Sequence, residues 1–125
     1  MKIYISTKYD PDIFPVIAGI RQVIKNLGYE SYSFIEEGKF TTEQDMMEKA
    51  LKAIDQSDVI LLECSRPAFG VGIEGGYAYA KKKRIIAVAA EGISFSKTIK
   101  GISEATINYQ DFTNLEKRLG EKLIK

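Results

Sequence analysis

Apolar residues along this chain recur at two alternating spacings. Residues 2–7 (KIYIST) open in a strand pattern. Residues 13–27 carry Val16, Ile17, Ile20, Val23, Ile24 and Leu27 at helical spacing, and Gly28 stands where a helix-ending glycine belongs. Residues 29–35 read as a second strand. Thr41-Thr42-Glu43-Gln44 has the form of a capping box, and the helix it predicts, residues 42–56, puts Met46, Met47, Ala50, Leu51 and Ile54 on one face. Residues 59–64 (VILLEC) form a short continuous apolar run, as a strand buried on both faces requires. A glycine loop and a helix to about residue 82 follow, then a strand at 84–90 (RIIAVAA), a short helix near 96–101 and a strand at 105–109. Asp111 or Thr113 caps a final helix ending at Ile124.

Strand and helix thus alternate through five repeats. This predicts an α/β class, a doubly wound five-stranded parallel sheet with helices on both faces. Right-handed crossovers favour a flavodoxin-like, Rossmann-like strand order of 2-1-3-4-5. Ligands of such sheets bind beyond the carboxyl ends of strands one and three, so the loops of interest are residues 7–12 and 65–72.

Composition narrows the chemistry. With 125 residues the chain is expected to be a single domain, 1–125, with a real core. A net charge of +1 recommends neither nucleic acid nor a solvating acidic tail. The one cysteine, Cys64, excludes an internal disulfide, and with no histidine a zinc or haem site is not expected. No apolar run is long enough to span a membrane and no leader pattern opens the chain, so a cytoplasmic protein is expected. Acid–base work near neutral pH must fall to carboxylates, tyrosine, lysine or the thiol.

Gly70, Gly72 and Gly75 spell G-x-G-x-x-G, the dinucleotide fingerprint, with Glu74 inside it. That fingerprint normally follows the first strand, whereas here it follows the third, and Glu74 would bring negative charge to a pyrophosphate. Two readings remain. In one, Gly70 and Gly72 serve a tight strand-to-helix turn, and Glu74 is a first-turn glutamate favoured by the helix dipole. In the other, the dipole keeps Glu74 ionised, the glycines let a ligand approach, and the carboxylate is a nucleophile or base.

The residues around it favour the second. Asp58-Val59-Ile60-Leu61-Leu62-Glu63 followed by Arg66-Pro67-Ala68-Phe69-Gly70-Val71-Gly72-Ile73-Glu74-Gly75-Gly76-Tyr77-Ala78 resembles the nucleoside 2-deoxyribosyltransferase superfamily, in particular its 2'-deoxynucleoside 5'-phosphate N-hydrolase branch. Lys2-Ile3-Tyr4-Ile5 matches that family's opening strand, and Phe95-Ser96-Lys97-Thr98-Ile99-Lys100-Gly101 is similar to its later L-S-x-x-I-R-G segment. The resemblance implies hydrolysis of the N-glycosidic bond of a (deoxy)nucleoside 5'-monophosphate, with Glu74 attacking the anomeric carbon to form a glycosyl-enzyme. It implies that Tyr4 orients the nucleophile or sugar. Ser96 would bind the 5'-phosphate and the backbone near Gly70 and Gly72 would help hold the nucleotide. No cofactor is implied, and the expected partners are a small-molecule nucleotide or nucleoside and a second copy of the chain in a homodimer or higher homo-oligomer.

Three departures bear on turnover. Ala50 occupies the position of the family's aspartate, which by the resemblance assists base departure or holds the sugar, leaving Asp45 or Glu48 as substitutes only if the helix is shifted or rotated. Ala68 replaces the phosphate-loop serine. Thr7-Lys8-Tyr9-Asp10-Pro11-Asp12 replaces the family's G-S-I-R-G-G-R loop, with Lys8 as a possible charge for phosphate and Tyr9 as a stacking or covering ring. Base exchange between nucleosides, or a nucleotide-binding module that has lost turnover, are the alternatives. Lys81-Lys82-Lys83-Arg84 suits a helix C-terminus, Cys64 reads as a buried apolar residue, and Tyr77 and Tyr79 as core or subunit contacts.

Overall fold

The computed structural model describes residues 1–124. Its strands are β1 (Lys2–Ser6), β2 (Glu30–Ser33), β3 (Val59–Glu63), β4 (Arg84–Ala90) and β5 (Ala105–Tyr109). Its helices are α1 (Phe14–Asn26), α2 (Phe34–Glu37), α3 (Glu43–Asp55), α4 (Phe69–Ala80), α5 (Lys97–Ile102) and α6 (Phe112–Leu123). All strand pairs are parallel and the order is β2-β1-β3-β4-β5, the order read from the sequence.

Side chains of a strand alternate between faces, and here that parity divides the core. Ile3, Ile5, Val59, Leu61, Ile86 and Val88 pack with Ile20, Val23 and Ile24 of α1 and Leu115, Leu119 and Leu123 of α6. Tyr4, Ile60, Leu62, Ile85 and Ala87 pack the other way, with Ala53 and Ile54 of α3 and Val71 and Ala78 of α4. Every residue of β3 is buried, Glu63 included, which explains the apolar run of Val59-Ile60-Leu61-Leu62. Gly28 ends α1 at a φ of +88°, the left-handed conformation that favours glycine.

Four local expectations are corrected and one open choice is settled. The second strand stops at Ser33, because Arg21 of α1 draws Glu36 and Glu37 into ion pairs of 2.8 Å each and folds the segment into the turn of α2. The capping box is displaced by one residue. Thr42 is the N-cap, its Oγ1 accepting from the Asp45 N–H at 3.1 Å, while the Asp45 carboxylate accepts from the Thr41 N–H. Ser96 lies just outside α5 as its N-cap rather than within the helix. The glycine segment is helix, not loop: α4 begins at Phe69, so Gly70 and Gly72 sit in its first turns with helical backbone and serve no tight turn. Asp111, rather than Thr113, caps α6 through a 2.7 Å bond from the Asn114 N–H.

Candidate functional site

The loop before α4 is residues 64–68, and α4 then lies across the carboxyl end of β1. This places Glu74 against two hydroxyls of that strand. Tyr4 Oη donates to Glu74 Oε2 at 3.2 Å and Ser6 Oγ donates to Oε1 at 2.7 Å. Tyr4 and Ser6 are two residues apart on a strand, so both face α4. Ser6 escaped the sequence reading; the signal was its parity with Tyr4.

Glu74 stands in the second turn of α4, and the first turn holds no acidic residue. Helix-dipole stabilisation falls off within a turn, so the expectation that the dipole keeps Glu74 ionised is not met. Burial raises its pKa instead, and the bonds from Ser6 and then Tyr4 act against that rise. Tyr4 is itself pushed far above the usual phenol range, first by burial and then by the Glu74 charge, so it remains a proton donor to the carboxylate.

A cavity of about 620 Å³ lies between the β3–α4 and β4–α5 loops, and Tyr4, Ser6 and Glu74 are not among its lining residues. Ala68, Gly72 and Ser96 are in its walls, with apolar cover from Phe69, Phe95 and Ile99. A Cβ placed on Gly70 or Gly72 would meet nothing within 4 Å, so the helix backbone is open there. Ala68 is the N-cap of α4 and offers no side-chain cap. Ser96 accepts from the Ile99 N–H at 3.2 Å and contacts Thr98 Oγ1 at 3.1 Å. Lys8 is exposed on the β1–α1 loop and is not among the cavity's lining residues. Tyr9 is exposed and meets Phe14 edge-on.

Neither substitute for the missing family aspartate turns toward Glu74. Ala50 is buried, Asp45 is paired with Lys49 at 3.1 Å, and Glu48 accepts from Gln44 at 3.1 Å. Cys64 lines the cavity, but burial and then the Glu63 charge push its thiol up to about 12, which keeps it protonated. Lys83 and Arg84 bind carbonyls and Glu104, and Tyr77 ties α4 to Asp55 of α3. Among the described residues no cluster of three His, Cys, Asp or Glu side chains is placed to hold a metal ion. Nor is any helix among them long and apolar enough to cross a membrane.

Two further arrangements shape the loops. Glu63, only 2% exposed, accepts from Ser65 N–H at 2.7 Å, Ser65 Oγ at 2.9 Å and Tyr109 Oη at 2.6 Å. Ser65 Oγ also accepts from the Ala90 N–H, so the ends of β3, β4 and β5 hold the start of the β3–α4 loop. Arg66 forks onto Asp12 at 2.6 and 2.9 Å and onto Asp10 at 3.0 Å, joining that loop to the β1–α1 loop. Glu63 was hidden inside an apolar run, and the Arg66 fork spans more than fifty residues of sequence.

Fold and site together define a flavodoxin-like α/β protein with a carboxylate held at the switch point of its sheet. No family model matches the chain. It is 24% identical to a protein of Thermofilum pendens provisionally named a 2'-deoxynucleoside 5'-phosphate N-hydrolase, over 98% of this chain and 92% of that one. Its fold is that of a 2-deoxyribosyltransferase from Bacillus psychrosaccharolyticus, at 19% identity and a TM-score of 0.78, covering 93% of this chain and 90% of that one. The Clostridium botulinum CMP N-glycosidase is similar too, at 21% identity and a TM-score of 0.69, covering 95% and 98%. The likeness to the nucleoside 2-deoxyribosyltransferase superfamily, first carried by the Glu74 motif, extends over nearly the whole chain.

Proposed function

We propose that this protein hydrolyses the N-glycosidic bond of a (deoxy)nucleoside 5'-monophosphate, with Glu74 as nucleophile. The observation that carries the reading is the hydrogen bond between Tyr4 and Glu74 at the carboxyl end of β1. In the first step a Glu74 oxygen bonds to the anomeric carbon as the carbon–nitrogen bond breaks, and the base leaves with the electron pair. In the second step water attacks that carbon and the pair returns to Glu74. Tyr4 holds the carboxylate throughout. The open backbone at Gly70 and Gly72, the Ala68 cap position and Ser96 form the phosphate end of the site, and Lys8 adds positive charge from the neighbouring loop. The relatives named above act, by their names, on nucleosides or nucleotides, which supports this substrate class. The working protein is a cytoplasmic homodimer or higher homo-oligomer.

Ala50 sets the expected rate. Loss of a general acid at the leaving group costs a factor of about 10²–10⁴, so turnover should be slow. The same position supports a second reading, a nucleotide-binding homologue without turnover, since Asp45 and Glu48 are engaged elsewhere.

The test is chromatographic release of free base from a panel of ribo- and deoxyribonucleoside 5'-monophosphates, with Glu74→Ala in parallel. Release that vanishes in the variant is expected. Release only when a second base is added means exchange, and no release with a nucleotide-raised Tm means the binding module. Neither turnover nor binding would refute both readings.

A further inference from the structure

Glu74 sits one turn too deep for the α4 dipole and is partly buried, so something else must hold its carboxylate in a working state. The sheet supplies two donors, one on each oxygen, from a single strand. The Ser6 bond, at 2.7 Å, has the length of a charge-assisted O–H···O⁻ contact, whereas the Tyr4 bond at 3.2 Å is long. Ser6 is 2% exposed and its hydroxyl makes no other hydrogen bond among the described residues.

We propose that Ser6 is a positioning residue for the glycosidase step: its hydroxyl pins Oε1 while Tyr4 holds Oε2, fixing the plane of the Glu74 carboxylate. The inference rests on the nucleophilic role of Glu74 proposed above. A glutamate's last torsion is broad and two-fold, so a single donor leaves the carboxylate free to turn, and two donors on a central strand do not. In the glycosyl-enzyme one Glu74 oxygen is bonded to the anomeric carbon and the other is the ester carbonyl oxygen. When water attacks and the carbon–oxygen bond breaks, the electron pair returns to Glu74, the proton of water passes to solvent, and both donors again meet a full carboxylate. Ser6 therefore favours Glu74 both as nucleophile and as leaving group.

Few other groups compete for this carboxylate. On β1 and β2 the titratable neighbours are Tyr4 and, stacked 6.0 Å from it, Tyr32. Burial lifts both phenols above their usual range, joined for Tyr4 by Glu74 and for Tyr32 by Glu37, so both stay neutral near pH 7. On α3, Asp55 is turned to Tyr77, and on α5, Lys97 and Lys100 are exposed. Cys64 in the cavity wall is held as the thiol. Burial raises Glu74, and of the two bonds opposing it that from Ser6 is the stronger.

The experiment follows Glu74 directly, by ¹³C NMR titration of its side-chain carboxyl in wild type, Ser6→Ala and Ser6→Thr, assigned with Glu74→Gln. Base release is measured against pH in the same proteins. Ser6→Ala should move the Glu74 midpoint upward and carry the acidic limb of kcat/KM with it. At pH 6 kcat/KM should fall by about 10- to 100-fold, the worth of one hydrogen bond to a charged group. Ser6→Thr, which keeps the hydroxyl, should restore both. Should Ser6→Ala not fold, Ser6→Cys, nearly isosteric and a weak donor, takes its place. An unmoved midpoint in the variant overturns the proposal. A wild type that releases no base while Ser6→Ala still moves the midpoint overturns the glycosidase reading and leaves the two-point grip on Glu74 standing.

Discussion

Tyr109→Phe isolates one bond in the network beneath the β3–α4 loop. The change removes the phenolic oxygen that donates to Glu63 at 2.6 Å and leaves the ring, whose centroid lies 6.1 Å from that of Phe112. Glu63 keeps its two bonds from Ser65 but stays almost fully buried, so water cannot replace the lost donor. A hydrogen bond to a charged group is worth about 1.5–3 kcal/mol. Unfolding entropy near 2.1 cal/mol/K per residue makes each kcal/mol worth about 4 °C at this chain length, so Tm should fall by about 6–12 °C. Urea unfolding gives the free energy and calorimetry the Tm. Because the network anchors Ser65 rather than Glu74, KM for the nucleotide should rise while kcat holds. A loss of less than about 2 °C would refute the reasoning, since it would put the phenol's contribution below that of an ordinary neutral hydrogen bond.

Glu74→Gln should abolish base release yet stabilise the fold, and increasingly so with rising pH. Burial raises the folded pKa, so the folded chain holds this proton to higher pH than the unfolded chain. Wild-type stability then falls as pH climbs from the usual glutamate range of about 4.3 through the folded midpoint. The Tm gap between variant and wild type should be small at pH 4 and positive at pH 8; a gap that shrinks with pH would contradict the assignment. Two adjacent glycines should part company in urea. Gly76→Ala adds a Cβ in open space on an exposed helix face and should gain about 0.4–1 kcal/mol. Gly75→Ala puts that atom 3.0 Å from Leu62 and 3.1 Å from Ile102, so crowding of about 1–3 kcal/mol should cancel or exceed the helical gain. Equal stabilities would mean that Leu62 and Ile102 yield freely.

The sheet was legible because its signals are redundant. VILLEC is long enough and apolar enough to be a central strand, and the helices on either side show their period over three or more turns. Legibility failed where one distant contact outweighs local preference. Nothing in Phe34-Ile35-Glu36-Glu37 announces a turn until Arg21 of α1 is known to lie beside it. The start of α4 was misplaced for a different reason. Glycines advertise loops, yet Gly70, Gly72, Gly75 and Gly76 all take helical backbone, and what they share is the absence of a side chain.

That displacement of the helix start alters the chemistry as well as the boundary. Read as a first-turn residue, Glu74 would draw its charge stability from the dipole. Placed in the second turn, it receives burial instead, which opposes ionisation, and must take its support from the strand it faces. Tyr4 was identifiable from the motif, but a phenol 3.2 Å away is a weak hold on a partly buried carboxylate. The shorter bond comes from Ser6, a residue that carries no motif and is found only by counting two along the strand from Tyr4. Sequence can name a candidate carboxylate by its neighbours in the chain, whereas the groups that hold it are its neighbours across the sheet.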